Sequence, residues 1–195
     1  FYSYLKSIVK QLKSLGGVVY LNGKATSEMK EAEIAKSLSM VMTEHIHPEL
    51  MSCRDVVATG RYPYTGRLGI LDKQDWKLVD EAITMVHAEE VAEQSFTRIS
   101  DGQRQRVMLA RAICQDTAIL VLDEPTSYLD IRYKLDILNS IRKLARERNI
   151  AVMMSLHELD LVQKVSDMVA CVDGTTVSHI GTPEEIFQGS EALWN

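Results

Sequence analysis

The chain has 195 residues, of which 46% are hydrophobic and 25% are charged, and its 22 basic and 27 acidic side chains give a formal net charge of −5. This composition is typical of a globular domain with a substantial core, and it argues against bulk disorder, against binding to nucleic acid by charge alone and, without an apolar run near 18 residues, against a membrane-spanning helix. The three cysteines form neither a metal-binding nor a disulfide pattern, which indicates a reducing compartment; they are Cys53, Cys114 and Cys171.

The beginning of the chain predicts a helix followed by two strands. Apolar residues recur at helical spacing over residues 5–15, and Gly16-Gly17 ends that helix. Val18–Leu21 predicts a short strand that closes on the turn Asn22-Gly23. Leu38–Met42 predicts a second strand, bounded by polar residues.

The middle of the chain predicts a helical lobe inserted into the domain, because strand patterns are missing over residues 45–98. Ser52-Cys53-Arg54-Asp55 has the spacing of a capping box and opens a short helix through Val57. Gly60–Gly69 contains three glycines and a proline and predicts a loop. Asp75–His87 is amphipathic and predicts a longer helix.

The last third of the chain alternates strand and helix. Ile119–Leu122 predicts a strand buried on both faces, Ile131–Arg148 a helix, and Ala151–Leu156 and Met168–Val172 two further buried strands separated by a short helix. A hairpin is predicted around Asp173-Gly174. This alternation predicts an α/β fold, with a mostly parallel sheet flanked by helices. The predicted organisation is one α/β core built from residues 1–44 and 99–195, interrupted by the helical lobe 45–98.

Two acids, Asp123 and Glu124, stand at the carboxyl end of the predicted central strand, where open parallel sheets bind their ligands. We hypothesise that one carboxylate ligates Mg²⁺ and that the other orients a water molecule against a phosphate. The alternative is an ordinary acidic loop after a core strand. His157 follows the next strand and either contacts the same ligand or is a structural histidine.

A second candidate site precedes the predicted helix over residues 104–114. Ser100-Asp101-Gly102-Gln103 offers a hydroxyl and backbone N–H groups at the positive end of the helix dipole, which favours phosphate binding. The alternative is simple N-capping by Ser100. Arg104 and Arg106 are predicted to lie on a solvated face of this helix, in ion pairs.

These motifs, together with Ser127-Tyr128-Leu129-Asp130, occur in the order and spacing of one family: the chain resembles the ATP-binding cassette (ABC) ATPases of membrane transporters. Ile99–Gln103 resembles their signature motif, Leu122-Asp123-Glu124 their Walker B motif, Ser127–Asp130 their D-loop and His157 their switch histidine. Within the family, Val57–Gly66 is most similar to importers of iron–siderophore complexes, haem and cobalamin.

The resemblance implies a fold of the P-loop NTPase type and a homodimer of cassettes that closes head to tail around two ATP molecules. Signature residues of one chain would then contact the nucleotide that is bound by the other. The implied roles are nucleotide binding in trans for Ser100, Asp101, Gly102 and Gln103, Mg²⁺ binding for Asp123, catalysis for Glu124 and His157, and a place in the D-loop for Asp130.

The resemblance also implies a function: an ATP-hydrolysing subunit, peripheral on the cytoplasmic face of the cell membrane, that powers integral membrane permease subunits importing iron–siderophore-type substrates. The lobe would receive a short helix of the permease. A substrate-binding protein would act only indirectly, and no nucleic acid partner is expected. The alternatives are an ABC ATPase for DNA repair or iron–sulfur assembly, and a degenerate cassette that regulates with little turnover.

The sequence departs from the family pattern at three places. The 195 residues contain no G-x-x-x-x-G-K-[ST] phosphate loop, which we expect upstream of Phe1, and without it we expect weak ATP binding and no activity. Glu44 stands in place of the glutamine that senses Mg²⁺ and is either a second Mg²⁺ ligand or a solvated loop acid. Asp101 replaces the first glycine of the signature pair, which is tolerable if its φ is negative.

Overall fold

A computed structural model describes residues 6–7, 16–42, 48, 50–173 and 176–188; most of the predicted helix 5–15, and Glu44, lie outside them. The strands are β1 (Tyr20–Leu21), β2 (Lys24–Ala25), β3 (Leu38–Val41), β4 (Ile119–Leu122), β5 (Ala151–Met154), β6 (Val169–Asp173) and β7 (Thr176–Gly181). The α-helices are α1 (Glu31–Ser37), α2 (Cys53–Ala58), α3 (Lys73–Met85), α4 (Asp101–Cys114), α5 (Ile131–Arg148), α6 (Leu159–Val165) and α7 (Pro183–Gln188).

The central sheet is parallel, as the alternation of strand and helix predicts, with the order β3-β4-β5. The strands pair in register, so that Val41, Leu122 and Met154 stand side by side at their carboxyl ends. The ladder runs one residue further: the Asp123 N–H donates to the Val41 carbonyl over 2.9 Å, and the Ser155 N–H donates to the Leu122 carbonyl over 3.0 Å. The residues that follow β4 and β5 therefore leave the sheet at the same edge.

The prediction that every strand of the last third is buried is correct for β4 and wrong for β5 and β6. Leu120, Val121 and Leu122 are buried, because β4 lies between two partners. In the part of the chain that the structure describes, β5 pairs with β4 alone, and Met153 is exposed while Val152 and Met154 pack on the core. The described part of β6 pairs with β7 in a separate hairpin, as the Asp173-Gly174 turn predicts, and it is largely exposed.

The segment 50–98 is helical throughout its regular elements, apart from one isolated bridge between Ser52 and Ser95. Ser52 caps α2 in the predicted capping box, because its hydroxyl accepts from the Asp55 N–H and the Asp55 carboxylate accepts from the Ser52 N–H. The predicted loop contains two short 3₁₀ helices instead, Thr59–Tyr64 and Gly66–Leu68. Buried residues of α2 and α3 join those of α4 and β4 in one continuous hydrophobic core.

A buried arginine connects this helical segment to the end of α4. The Arg61 Nε donates to Asp75 Oδ1 over 2.8 Å, and its Nη1 donates to the Cys114 carbonyl over 3.0 Å. Next to it, a Cβ added at Gly60 would lie 2.3 Å from the Arg111 carbonyl oxygen. Glycine at this position therefore lets the two backbones approach each other.

The prediction that Arg104 and Arg106 of α4 are solvated is wrong: one is buried and the other is mostly covered. Arg106 is buried, pairs with Glu90 over 2.8 Å and lies over the ring of Tyr133. Arg104 is mostly covered, although it does form the predicted ion pair, with Asp101. The periodicity of α4 does not reveal this burial, because the surfaces that cover the two side chains come from distant parts of the sequence.

Candidate active site at the carboxyl edge of the parallel sheet

The acids after β4 and the histidine after β5 lie together at the edge where both strands end. The two strands are parallel and in register, and Ser155 extends the ladder beside Leu122. The His157 Nε2 lies 2.5 Å from Glu124 Oε1. The structure therefore brings Asp123, Glu124 and His157 into one cluster, although Glu124 and His157 are 33 positions apart in the sequence.

Glu124 is held from several sides. Its φ of +48° lies in the left-handed region, which is uncommon for a residue other than glycine. Its N–H donates to the Ser155 hydroxyl over 2.8 Å, and Oε2 accepts from the Ser127 hydroxyl over 2.9 Å. Residues in this region cluster at functional sites, where the surrounding contacts maintain them.

The electrostatics of the cluster favour a carboxylate beside an imidazolium. The hydrogen bond from His157, followed by that from Ser127, lowers the pKa of Glu124, and the hydrogen bond to Glu124 raises the pKa of His157. The His157 side chain is 78% exposed and that of Glu124 is 34% exposed. A ligand from solution can therefore reach both groups.

Asp123 lies deeper than Glu124 and is buried. Its Oδ1 accepts from the Ser155 hydroxyl over 2.8 Å. Among the described residues, no group of three or more His, Cys, Asp or Glu side chains is arranged to hold a metal ion. Because Mg²⁺ is commonly held by one or two carboxylates together with substrate phosphates, the Asp123 carboxylate next to the exposed Glu124–His157 pair fits that ion. Glu44, the other candidate ligand, lies outside the described residues.

The Ser100 motif begins α4 as an N-cap. The Ser100 hydroxyl accepts from the Gln103 N–H over 3.3 Å, and Gln103 Oε1 accepts from the Ser100 N–H over 3.0 Å. The capping interpretation is thus correct for the single chain, and it does not exclude phosphate binding at the same helix end. Asp101 lies within α4 and its φ is not positive, so a side chain is tolerated at this position.

The tip of α4 contacts the segment that follows the two acids. A Cβ added at Gly102 would lie 3.1 Å from the Tyr128 carbonyl oxygen, and Gln105 Nε2 donates to the Glu124 carbonyl over 3.3 Å. Asp130 ends this segment as the cap of α5, accepting from the Tyr133 N–H over 3.1 Å. The tip of α4 is therefore packed against the acidic segment of its own chain.

Sequence reasoning missed three polar residues that hold the cluster: Gln105, Ser155 and the side chain of Ser127. Ser155 carries the clearest signal that was overlooked. It stands two residues before His157, at the end of a predicted strand. The neighbouring parallel strand, β4, ends just before Asp123 at the same edge of the sheet. Its contacts depend on the pairing of β4 with β5, which the local pattern does not reveal.

Comparison with known proteins finds a family model, described as ABC transporter, that matches residues 3–127. An uncharacterised ABC transporter ATP-binding protein of Methanocaldococcus jannaschii is 41% identical over 94% of this chain. The achromobactin transport ATP-binding protein CbrD of Dickeya dadantii is 35% identical over 97% of the chain, and the iron(3+)-hydroxamate import ATP-binding protein FhuC of Bacillus subtilis is 34% identical over 94%. The chain spans 63%, 70% and 68% of the lengths of these three relatives, respectively.

A solved structure shares the fold. It is a dimeric ATP-binding cassette in a post-hydrolysis state, bound to ADP and Pi, with a TM-score of 0.82 and 21% sequence identity. The alignment covers 93% of this chain and 80% of the other. The parallel sheet with its flanking helices is therefore the fold of an ATP-binding cassette.

Proposed function

Because the chain belongs to the ABC transporter family, we propose that it is the nucleotide-binding part of an importer subunit that hydrolyses ATP to drive a membrane permease. The observation that carries this proposal is the Glu124 carboxylate, held beside Asp123 and His157 at an exposed sheet edge. The names of the achromobactin and iron(3+)-hydroxamate relatives support iron–siderophore complexes as the substrate class. The domain limits 1–44, 45–98 and 99–195 belong to the same proposal.

The roles of the residues follow from their positions. Mg²⁺ bound at Asp123 would neutralise charge on the phosphates of ATP. Glu124 would accept a hydrogen bond from the attacking water, because its carboxylate is kept ionised and its backbone is fixed. His157, exposed and carrying a raised pKa, would donate to the γ-phosphate. Ser127 and the Glu124 backbone would keep the carboxylate from swinging away.

The N-terminal end of α4 would serve the second nucleotide site of a homodimer. Ser100 and Asp101 are accessible, and the N-terminus of a 14-residue helix attracts anions. Ser100 and Gly102 would bind the γ-phosphate held by the partner chain, with Asp101 and Gln103 beside them. Asp130 would lie near the dimer contact, because it ends the segment on which Gly102 rests.

The 195 residues contain no G-x-x-x-x-G-K-[ST] segment, and we propose that they bind ATP weakly and do not turn it over by themselves. Backbone N–H groups and a lysine normally cradle the β- and γ-phosphates, and these groups are missing from this stretch of sequence. Calorimetric titration of the 195-residue chain with Mg-ATP tests this. A micromolar dissociation constant would contradict it.

We propose that the protein is peripheral on the cytoplasmic face of the membrane and is attached there by its permease. Within the described residues, no helix combines the length and apolar character needed to cross a bilayer. The helical segment exposes Tyr62, Leu68 and Ile70, which are candidates for contact with a short permease helix. A groove of about 910 Å³ between α3 and α5 is the alternative docking surface.

Co-purification with the permease distinguishes the two surfaces. Changing Leu68 and Ile70 to serine in the complete gene product is expected to release the permease. Lys143→Glu, in the groove, is the matched control and should leave the complex intact. Release by Lys143→Glu alone would place the permease in the groove, and retention by all variants would reject both surfaces.

The proposed activity is tested by Glu124→Gln in the complete gene product. A positioned base contributes about 10²–10⁴-fold in rate, so turnover should fall by that factor while ATP binding persists. Unchanged turnover would remove Glu124 from the catalytic role. If the unmodified protein binds ATP without hydrolysing it, the degenerate regulatory cassette is the better description.

A further inference from the structure

One hydroxyl group contacts both acids of the candidate site. The Ser155 Oγ lies 2.8 Å from Asp123 Oδ1 and 2.8 Å from the backbone nitrogen of Glu124. Its own N–H donates to the Leu122 carbonyl over 3.0 Å, so the residue is anchored to the sheet. Ser155, at the end of β5, therefore connects the two acids that follow β4.

The directions of these hydrogen bonds follow from the chemistry of the groups. A backbone N–H can only donate, so the Ser155 oxygen accepts from Glu124. The single Ser155 hydroxyl proton is donated to the Asp123 Oδ1, which accepts it. The result is one ordered chain from the Glu124 N–H through the Ser155 hydroxyl to the Asp123 carboxylate. Consecutive hydrogen bonds of this kind reinforce one another.

The Ser155 hydroxyl contacts the residue of the site whose backbone conformation is least common, Glu124. Glu124 has a φ of +48°, and such a conformation persists only where the surroundings determine it. The Ser155 hydroxyl holds the N–H of Glu124, while the Ser127 N–H and the Gln105 amide donate to its carbonyl. The orientation of the peptide decides where the carboxylate points, and here it points to His157.

We propose that Ser155 is a positioning residue that fixes the Glu124 backbone and the Asp123 carboxylate relative to each other. This inference rests on the proposed ATPase function for its catalytic consequence, but the geometric part stands without it. Loss of the hydroxyl should leave Glu124 free to leave the left-handed conformation. The carboxylate would then be aimed less well at a water molecule, and the Asp123 carboxylate would lose a partner that orients it toward Mg²⁺.

The matched test compares Ser155→Thr with Ser155→Val. Threonine and valine have nearly the same shape and both suit the end of a strand, but only threonine keeps the hydroxyl. In the complete gene product without nucleotide, amide hydrogen exchange at Glu124 should be at least about fivefold faster in the valine variant than in the threonine variant. The amide of Val121, inside the sheet, is the internal control and should not change.

The second measurement is ATP turnover by the same variants. The valine variant should lose about tenfold or more in kcat, while the ATP dissociation constant stays within about twofold and the Mg²⁺ requirement rises. The threonine variant should keep a rate near that of the unmodified protein. Equal turnover by both variants would overturn the catalytic consequence, and equal Glu124 exchange would overturn the positioning role itself. Absence of turnover in the unmodified protein would instead reject the ATPase function, leaving the exchange comparison to decide the role of Ser155.

Discussion

Two ion pairs of similar length lie in opposite surroundings. The Arg61–Asp75 pair has an N–O distance of 2.8 Å and side chains only 9% and 11% exposed, and Arg61 also donates to the Cys114 carbonyl. The His157–Glu124 pair has a distance of 2.5 Å, yet the histidine is largely exposed. Proximity alone therefore does not distinguish an ion pair that holds the fold from one that we propose takes part in catalysis. The difference lies in what else could bind to each partner.

The buried pair is almost enclosed, and through the bond of Arg61 to the Cys114 carbonyl it holds the helical segment against α4. The exposed pair faces solvent at the edge where parallel sheets bind ligands, and its carboxylate stands on a left-handed residue. We therefore expect substitutions at the first pair to change stability and substitutions at the second to change turnover.

The largest effect is expected from Glu124→Gln, which keeps the shape of the side chain and removes its charge. Turnover should fall by about 10²–10⁴-fold, because the variant lacks the carboxylate that we propose orients the attacking water. The free energy of unfolding should change by no more than about 1 kcal/mol, because the pair with His157 is exposed. Steady-state hydrolysis and urea unfolding of the same preparation measure both quantities. A strongly destabilised variant would contradict the contrast between the two pairs.

Arg61→Ala is expected to have the reverse effect. It leaves the buried Asp75 carboxylate without its partner, which should destabilise the fold by about 3–5 kcal/mol. Urea unfolding measures this difference. Lys143→Ala, at an exposed pair with Glu147, is the control and should cost at most about 0.5 kcal/mol. A similar loss in the free energy of unfolding for both variants would mean that burial does not explain the contribution of the Arg61–Asp75 pair to stability.

The reactivity of the cysteines measures the packing of the helical segment against α4. Burial raises the pKa of Cys114 to about 12 and that of Cys53 to about 11, whereas Cys171 is only partly buried. Because the thiolate is the reactive form, iodoacetamide at mildly alkaline pH should label Cys171 first. Arg61→Ala should increase the labelling of Cys114 by loosening the packing that covers its thiol, without changing that of Cys171; loss of the Arg61 charge acts in the opposite direction, because that charge lowers the pKa of Cys114. Mass spectrometry of the peptides measures the labelling of each cysteine. Rapid labelling of Cys114 in the unmodified protein would contradict the prediction.

The smallest effect is the pH dependence of the exposed pair. Since folding raises the pKa of His157, the contribution of this residue to the free energy of unfolding is complete below the ordinary pKa of 6.5. It is lost as the pH rises through the higher pKa of the folded state. Since the pKa of Glu124 is lowered, its contribution is present above 4.5 and is lost as the pH falls through the lower folded value. The stabilisation should be greatest between these limits and stay below about 1 kcal/mol. Unfolding of the protein and of His157→Gln at pH 5.5 and 9 measures it; a difference that grows toward pH 9 would have the wrong sign.

Much of the local structure follows from local patterns. The bounds of β4 and α5 agree with the prediction, Ser52 forms the capping box that its spacing indicates, and Ser100 caps α4 as its N-capping interpretation expects. These features depend on residues within one or two turns of each other. Helix α1 was not predicted, because it buries only Ile34 and thus has no apolar stripe of its own.

By itself, the sequence determines the alternation of strands and helices, the caps and the order of the motifs, since each of these depends on neighbours along the chain. Only the tertiary structure decides that β5 leaves one face exposed, that Arg106 is buried, and that Ser155 joins the two acids. These outcomes depend on which segments pack side by side. Strand register brings Ser155 to Glu124 across 31 positions of sequence, and hydrogen bonds of 2.8 Å require that register to be correct within a single residue.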